Sequence, residues 1–406
     1  MKVPVGNFII GKEEKEAINK VLSSGRISEG RFTKQFESEW AKYIGTKFAV
    51  AVNSGTSALI AGLLALIYDK RFPKIKPGAK VITSPVTYIA TANAIKLAGL
   101  EPVFVDIDPN DFTLNYDQIE SLLIKDGKKQ ICAIIPVHLF GFPNNMQRLK
   151  EISHKYDIVI FEDSAQAHGS LFNGKKVGSL SLLSEFSFYI AHNIQAGELG
   201  VVNTDDPFLY RLIKKIKANG RMCDCAECLR YKGLCKHSKG DIIFEVDPRF
   251  HHELIGYNFK TTEFQTALAL SQLKHADEIF RKRSFNVKYL NSKLNKYKDL
   301  IQPPHYSKNV SYLAYPIIIK DQRVISKRSI RKHLEERGIE TRSLFGCIPN
   351  QQPSFKEYHK IYKDLLPNAD FVGNNGFYIG CHQYLSKQDL DYIVKVFGEI
   401  LNGIKK

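Results

Sequence analysis

Four short runs carry residue types suited to phosphate binding and proton transfer. Asn53-Ser54-Gly55-Thr56-Ser57-Ala58 places a glycine and free N–H groups where a strand turns into a helix, a setting that accepts a phosphate. The same turn also reads as simple helix capping. Glu162-Asp163-Ser164-Ala165-Gln166-Ala167-His168 follows the apolar DIVIF and leaves a carboxylate at the end of a buried strand. Such a charge needs a partner, because burying it alone is costly, and a helix N-cap is the simpler role. Ser187-Phe188-Tyr189-Ile190-Ala191-His192-Asn193-Ile194 closes another strand with a hydroxyl and an imidazole. Pro85-Val86-Thr87-Tyr88 sets an aromatic ring beside the same edge, where by itself it would be ordinary packing.

Cysteines form a second kind of signal. Of seven, Cys132, Cys347 and Cys381 are scattered, whereas Cys223, Cys225, Cys228 and Cys235 follow the pattern C-x-C-x2-C-x6-C. The N-terminal residues lack a secretion pattern, so clustering favours metal binding over disulfides. Four thiolates so close together suit an iron–sulfur cluster or a tetrahedral zinc.

The elements that must position these residues alternate. Short apolar strand candidates fall at 48–53, 80–85, 101–107, 131–138, 157–163, 185–190 and 200–205, most of them separated by helical patterns. Continuous apolar strands with helical crossovers predict a mainly parallel seven-stranded sheet covered on both faces, an α/β fold. The last two strands leave no room for a helix between them, which predicts one antiparallel edge. Helices are expected at 13–24 and 33–44, and one long helix is expected from about 261. Beyond it come strand 312–320, helix 327–338, strand 340–345 and a closing helix at 386–403. The division expected is a large domain over 1–260, with a cysteine-rich insert at 221–240, and a smaller α+β domain over 261–406. In doubly wound sheets ligands collect at the carboxyl ends of the strands, which is where the four runs fall.

Composition narrows the class. The 406 residues are 44% hydrophobic and 25% charged, enough for a self-sufficient core without disulfides. No apolar run approaches the ~18–20 residues of a membrane span, so no membrane partner and a cytoplasmic location are expected. The net charge of +16 comes without a block of like charges or a helix-turn-helix signature. The plainer reading is a lysine-coated surface; the sharper one is attraction for anionic ligands such as nucleotides and phosphates, with nucleic acid behind them.

Taken in order, the four runs resemble the DegT-type sugar aminotransferases of the fold-type-I pyridoxal-phosphate superfamily, along nearly the whole chain. The resemblance includes SGTSAL, HLFGFP at 138–143, EDSAQAHG at 162–169, the SFY segment with Gly197-Glu198-Leu199-Gly200, and GYNFKTTEFQTALALSQL at 256–273. It implies that Asp163 pairs with the pyridinium nitrogen of the cofactor and keeps it protonated. Tyr88 would stack on one face of the ring and Gln166 would lie near the other. The amides of Gly55 and Thr56, with the Ser187 hydroxyl, would hold the phosphate. Asn258 would reach that phosphate from the neighbouring subunit, making a homodimer with a composite site. His168 would support Asp163, and Arg342 would meet nucleotide phosphates or form a surface salt bridge.

One departure from the family pattern redirects the chemistry. The lysine that holds the cofactor covalently stands five residues after the phosphate serine, and here that position is His192. Imidazole cannot hold the cofactor covalently but can move protons. Within the family this exchange resembles the nucleotide-sugar 3-dehydratases that use pyridoxamine phosphate. The implied reaction removes the C3 hydroxyl from a nucleotide-linked 4-keto-6-deoxyhexose, with His192 as the base. The cysteine run falls where iron–sulfur members of that group carry a cysteine-rich insert. This implies a cluster, [2Fe-2S] in type, held by Cys223, Cys225, Cys228 and Cys235 and fed by a flavin and iron–sulfur reductase. In that group one ligand comes from the segment equivalent to EDSAQAHG, where this chain has Ala165; Cys228 would replace it. Redox-independent dehydration over a zinc or vestigial cysteine site is the alternative, with a non-catalytic relative behind it.

Overall fold

The computed structural model describes residues 2–223 and 250–404. Its central sheet is built from β1 (Phe48–Val52), β2 (Lys80–Thr83), β3 (Glu101–Phe104), β4 (Ile131–Ile135), β5 (Val159–Asp163), β8 (Leu183–Ser187) and β9 (Gly200–Thr204). Between β5 and β8 lies a small hairpin of β6 (Leu171–Phe172) and β7 (Lys175–Lys176), turned by Asn173-Gly174 with both φ values positive. The central order is β1-β9-β8-β5-β4-β2-β3. Strands β3, β2, β4, β5 and β8 run parallel; helices fill the β2–β3, β3–β4 and β4–β5 crossovers, and the β6–β7 hairpin lies in the β5–β8 one. Every residue of β4, β8 and β9 is buried, as expected of strands covered on both faces.

The antiparallel strand is real but is not the edge. Strand β9 pairs antiparallel with both β8 and β1, and β1 closes the sheet. The wholly buried β9 belongs inside, whereas β1 begins with a half-buried Phe48 and can take the margin. With no helix to reverse the chain, β8 and β9 form a wide hairpin, clamped where Phe188 N–H donates to Leu199 O at 2.8 Å. The loop of that hairpin carries His192.

The long helix expected from 261 is two helices, Glu263–Leu273 and Ala276–Leu294, broken at Lys274-His275. Their apolar faces serve different cores. Ala269, Leu270, Ile279 and Phe280 pack with Phe36, Trp40, Phe186 and Phe188, while Val287, Leu290 and Leu294 join the C-terminal core. That second core covers a sheet of order β10-β11-β13-β12, made by β10 (Ile301–Gln302), β11 (Tyr315–Ile319), β12 (Arg342–Ser343) and β13 (Gly376–Ile379). Strands β10 and β13, of two and four residues, are additions to the sequence reading. The N-terminus also joins this core: Val3 bridges to Ile339, and Val5 N–H donates to Glu340 Oε2 at 2.9 Å. Among the described residues no helix is long and apolar enough to cross a membrane.

The helix Gly55–Tyr68 presses so closely on β5 that a Cβ on Gly62 would lie 2.5 Å from the Phe161 ring. Alanine in a helix interior normally gains about 1 kcal/mol over glycine. Here overpacking outweighs that gain, so Gly62→Ala should lower unfolding stability by roughly 1–3 kcal/mol in urea denaturation. A stabilised variant would contradict this packing.

Candidate active site

Asp163 ends β5, buried, with its carboxylate anchored on two sides. Thr91 Oγ1 donates to Oδ2 at 2.7 Å and Ala165 N–H reaches Oδ1 at 3.3 Å. Thr91 itself is 3.0 Å from the Thr87 hydroxyl, one helical turn away, so the segment carrying Tyr88 also fixes the acid. The main chain of Asp163 is held as well: its N–H donates to Pro136 O at 2.9 Å and its C=O accepts from His138 N–H at 3.0 Å. Beneath it, Asn144 N–H donates to His138 Nδ1 at 3.1 Å, so Nε2 carries the ring proton and donates to Glu162 Oε2, also at 3.1 Å. Burial acts to raise the Glu162 carboxyl. The His138 bond and the Gly178 and Ser181 donors outweigh it and hold the group below the usual range.

The turn at 53–58 lies against β8 and β9. Ser54 caps the helix Gly55–Tyr68 by accepting from Ser57 N–H at 3.1 Å, and the N–H groups of Gly55 and Thr56 have no intrahelical partner. A Cβ on Gly55 would lie 2.7 Å from Ser187 Cβ and 3.1 Å from its Oγ. Across the sheet, a Cβ on Gly200 would fall 2.1 Å from Ser54 O. Only glycines permit this approach, which leaves a cradle of backbone donors and one hydroxyl.

The remaining site residues sit around this frame. Tyr88 is 60% exposed, its ring edge-on to Phe345 at 6.1 Å. The Gln166 amide is buried and turned to accept from Phe140 N–H at 2.9 Å. Asn258 is exposed and bridges to Ala218, while the neighbouring Phe259 O accepts from Asn53 N–H at 2.8 Å beside the phosphate turn. Arg342 lies on exposed β12, 3.3 Å from Glu340.

His192 is half-buried, 6.1 Å between ring centroids from His168. Burial, with the Arg283 guanidinium behind it, pushes its imidazole down to about 3, so the ring is neutral at physiological pH. His168 is fully buried against Trp40, Phe186 and Phe188, and neither ring nitrogen has a partner. It therefore packs behind His192 rather than bonding to Asp163.

Cys223 is buried with its thiol free of any disulfide. Cys225, Cys228 and Cys235 lie outside the described residues. Among the described residues no group of three or more His, Cys, Asp and Glu side chains could hold a metal.

Three functional neighbours were missed in the sequence. Thr91 could have been read from its spacing four residues after Thr87, and Glu185 from being the one charged residue in EFSFYI. Arg283 sits in a basic run, RKR, that gives no sign of its burial.

A mainly parallel sheet with a phosphate turn, a strand-end carboxylate and a smaller C-terminal sheet defines a fold-type-I pyridoxal-phosphate enzyme. The DegT/DnrJ/EryC1/StrS aminotransferase family pattern matches residues 9–397, and the chain belongs to that family. It is 31% identical to GDP-4-keto-6-deoxy-D-mannose 3-dehydratase of Escherichia coli O55:H7, over 94% of this chain and 96% of that one. It is also 30% identical to GDP-perosamine synthase of Escherichia coli O157:H7, over 98% of each. A solved E. coli GDP-4-keto-6-deoxy-D-mannose-3-dehydratase with bound hydrated PLP superposes with a TM-score of 0.83 at 28% identity, covering 98% of this chain and 99% of that one. The Gly55 cradle and the anchored Asp163 carboxylate fit such a cofactor at its phosphate and its ring nitrogen.

Thr91→Val should preserve the fold but weaken pyridoxamine phosphate binding by about tenfold or more, since a hydrogen bond to a charged group is worth roughly 1.5–3 kcal/mol. Absorbance titration of the purified variant checks this. Unchanged affinity would mean that Asp163 does not face the cofactor.

Proposed function

We propose that this protein is a pyridoxamine-phosphate-dependent dehydratase that removes the C3 hydroxyl of a nucleotide-linked 4-keto-6-deoxyhexose in deoxysugar biosynthesis. The observation that carries the reading is His192, a neutral imidazole on the β8–β9 loop at the position of the family's cofactor lysine. The relative named as a 3-dehydratase supports it, while the relative named as a perosamine synthase marks the aminotransferase alternative that the missing lysine disfavours.

When bound, the cofactor supplies an amine for the sugar ketone and an electron sink for the carbon that loses a proton. This chain supplies the rest. Gly55, Thr56 and Ser187 would hold the phosphate, Asp163 the ring nitrogen and Tyr88 one ring face. Gln166, fixed on Phe140 N–H, would shape the other side. Asn258 would serve the site of a second subunit, so the working form is a homodimer. His192, a neutral imidazole, would serve as the base for the cofactor-bound substrate. Burial and the Arg283 guanidinium keep the imidazole neutral, with a ring nitrogen free to accept a proton.

The cysteine run supports a redox extension. Ligation of an iron–sulfur cluster by Cys223, Cys225, Cys228 and Cys235 would supply one-electron reduction after dehydration, fed by a separate flavin and iron–sulfur reductase. The warrant is the spacing of the four thiols together with the free, buried Cys223.

Two measurements test these halves separately. Pyridoxal phosphate followed by borohydride should leave no cofactor attached at the active site; a labelled lysine close to Asp163 would defeat the role given to His192. Anaerobically purified protein should contain iron and sulfide and absorb in the visible, with the colour lost in Cys225→Ser. Stoichiometric zinc without iron would remove the reductive step and leave redox-independent dehydration.

A further inference from the structure

Glu185 is a buried carboxyl group that the account so far does not use. It is the register partner of Asp163 across parallel strands β5 and β8, so both side chains project from the same face of the sheet. Ser187, two residues along β8, shares that face. A Cβ on Gly55 would lie 3.2 Å from Glu185 Oε2, close to where it would meet Ser187. Glu185 therefore lies under the cofactor site, between the phosphate cradle and the ring-nitrogen acid.

The donors are unequally shared. Asp163 accepts from Thr91 Oγ1 and Ala165 N–H, whereas Glu185 Oε2 has no partner at all. Among the described residues no cation forms an ion pair with either carboxyl group. Val202 faces Glu185 from β9, and the helix Gly55–Tyr68 has no ionisable side chain except the terminal Tyr68. Two carboxylates in contact in a buried site cannot both be ionised without a large penalty. Burial first, then the charge of Asp163 and the bond to it, push the Glu185 carboxyl well above the usual range; the Ala165 N–H only partly opposes this.

We propose that Asp163 and Glu185 hold one proton between them, Glu185 donating it to Asp163, so that the pair presents a single negative charge to the ring nitrogen of the cofactor. The last clause rests on the cofactor reading above; the shared proton does not. Glu185 is thus a positioning residue, which acts on the cofactor through Asp163.

Cofactor-free protein tests the proton, and pyridoxamine phosphate tests its use. A carboxyl that binds its proton more tightly folded than unfolded adds stability that is complete at low pH. That stability is lost as pH rises from the ordinary glutamate range through the raised value. The melting temperature of the wild type should therefore fall relative to Glu185→Gln over that window, and parallel curves would overturn the proposal. Carbon-13 NMR of labelled glutamate should show, in the wild type and not in Glu185→Gln, a carboxyl still protonated above the ordinary range; the absence of any resonance that distinguishes the two would also overturn it. The amide of Glu185→Gln keeps a neutral donor, so its affinity for pyridoxamine phosphate should stay within about twofold of the wild type, while Glu185→Leu should lose about tenfold. A glutamine variant as weak as the leucine one would contradict the donor role. Failure of the wild type to bind pyridoxamine phosphate at all would overturn the cofactor clause, with the shared proton still judged by the cofactor-free measurements.

Discussion

The site depends on one buried carboxylate, Asp163, kept at the end of a strand by donors from elsewhere in the fold. Ionised acids are rarely buried unless something stabilises the charge. Thr91 and Ala165 do so directly, and the His138–Glu162 pair below fixes the backbone from which Asp163 projects. The Thr87–Thr91 contact couples that acid to the turn presenting Tyr88. The residue proposed to face the ring nitrogen and the one proposed to cover the ring are therefore set by the same short segment.

The second constraint is the missing helix between β8 and β9. Without it the chain must return as a hairpin, and β9 enters the sheet antiparallel between β8 and β1. That insertion brings Gly200 against Ser54 and closes the cradle of backbone donors at Gly55. It also leaves a loop long enough to set His192 over the strand ends, backed by His168 and Arg283. A charged imidazole there would face both burial and a buried guanidinium, so the neutral ring is a consequence of packing.

Much of the frame could be read from sequence because it rests on local signals. The seven strands were visible as short apolar runs, and the positions of Asp163, Ser187 and His192 follow from where those runs end. What escaped depends on distant partners. The break at Lys274-His275 arises because the two halves of one periodic helix face different cores, which the period alone does not show. The placement of β9 inside the sheet depends on β1 taking the margin. Glu185 was legible as an acid in an apolar strand, but its meaning requires the register with Asp163. His168, expected to support Asp163, is instead enclosed by aromatic rings.

The central claim is that His192 turns an aminotransferase fold toward elimination at C3. It is tested most directly by following oxygen at that carbon. A nucleotide-linked 4-keto-6-deoxyhexose labelled with oxygen-18 at C3 would be incubated with the protein and pyridoxamine phosphate, without reductant, and examined by mass spectrometry. Reversible elimination predicts loss of the label to water with no accumulation of amino sugar, and loss of that exchange in His192→Asn. An amino sugar that retains its C3 oxygen-18 would contradict the account.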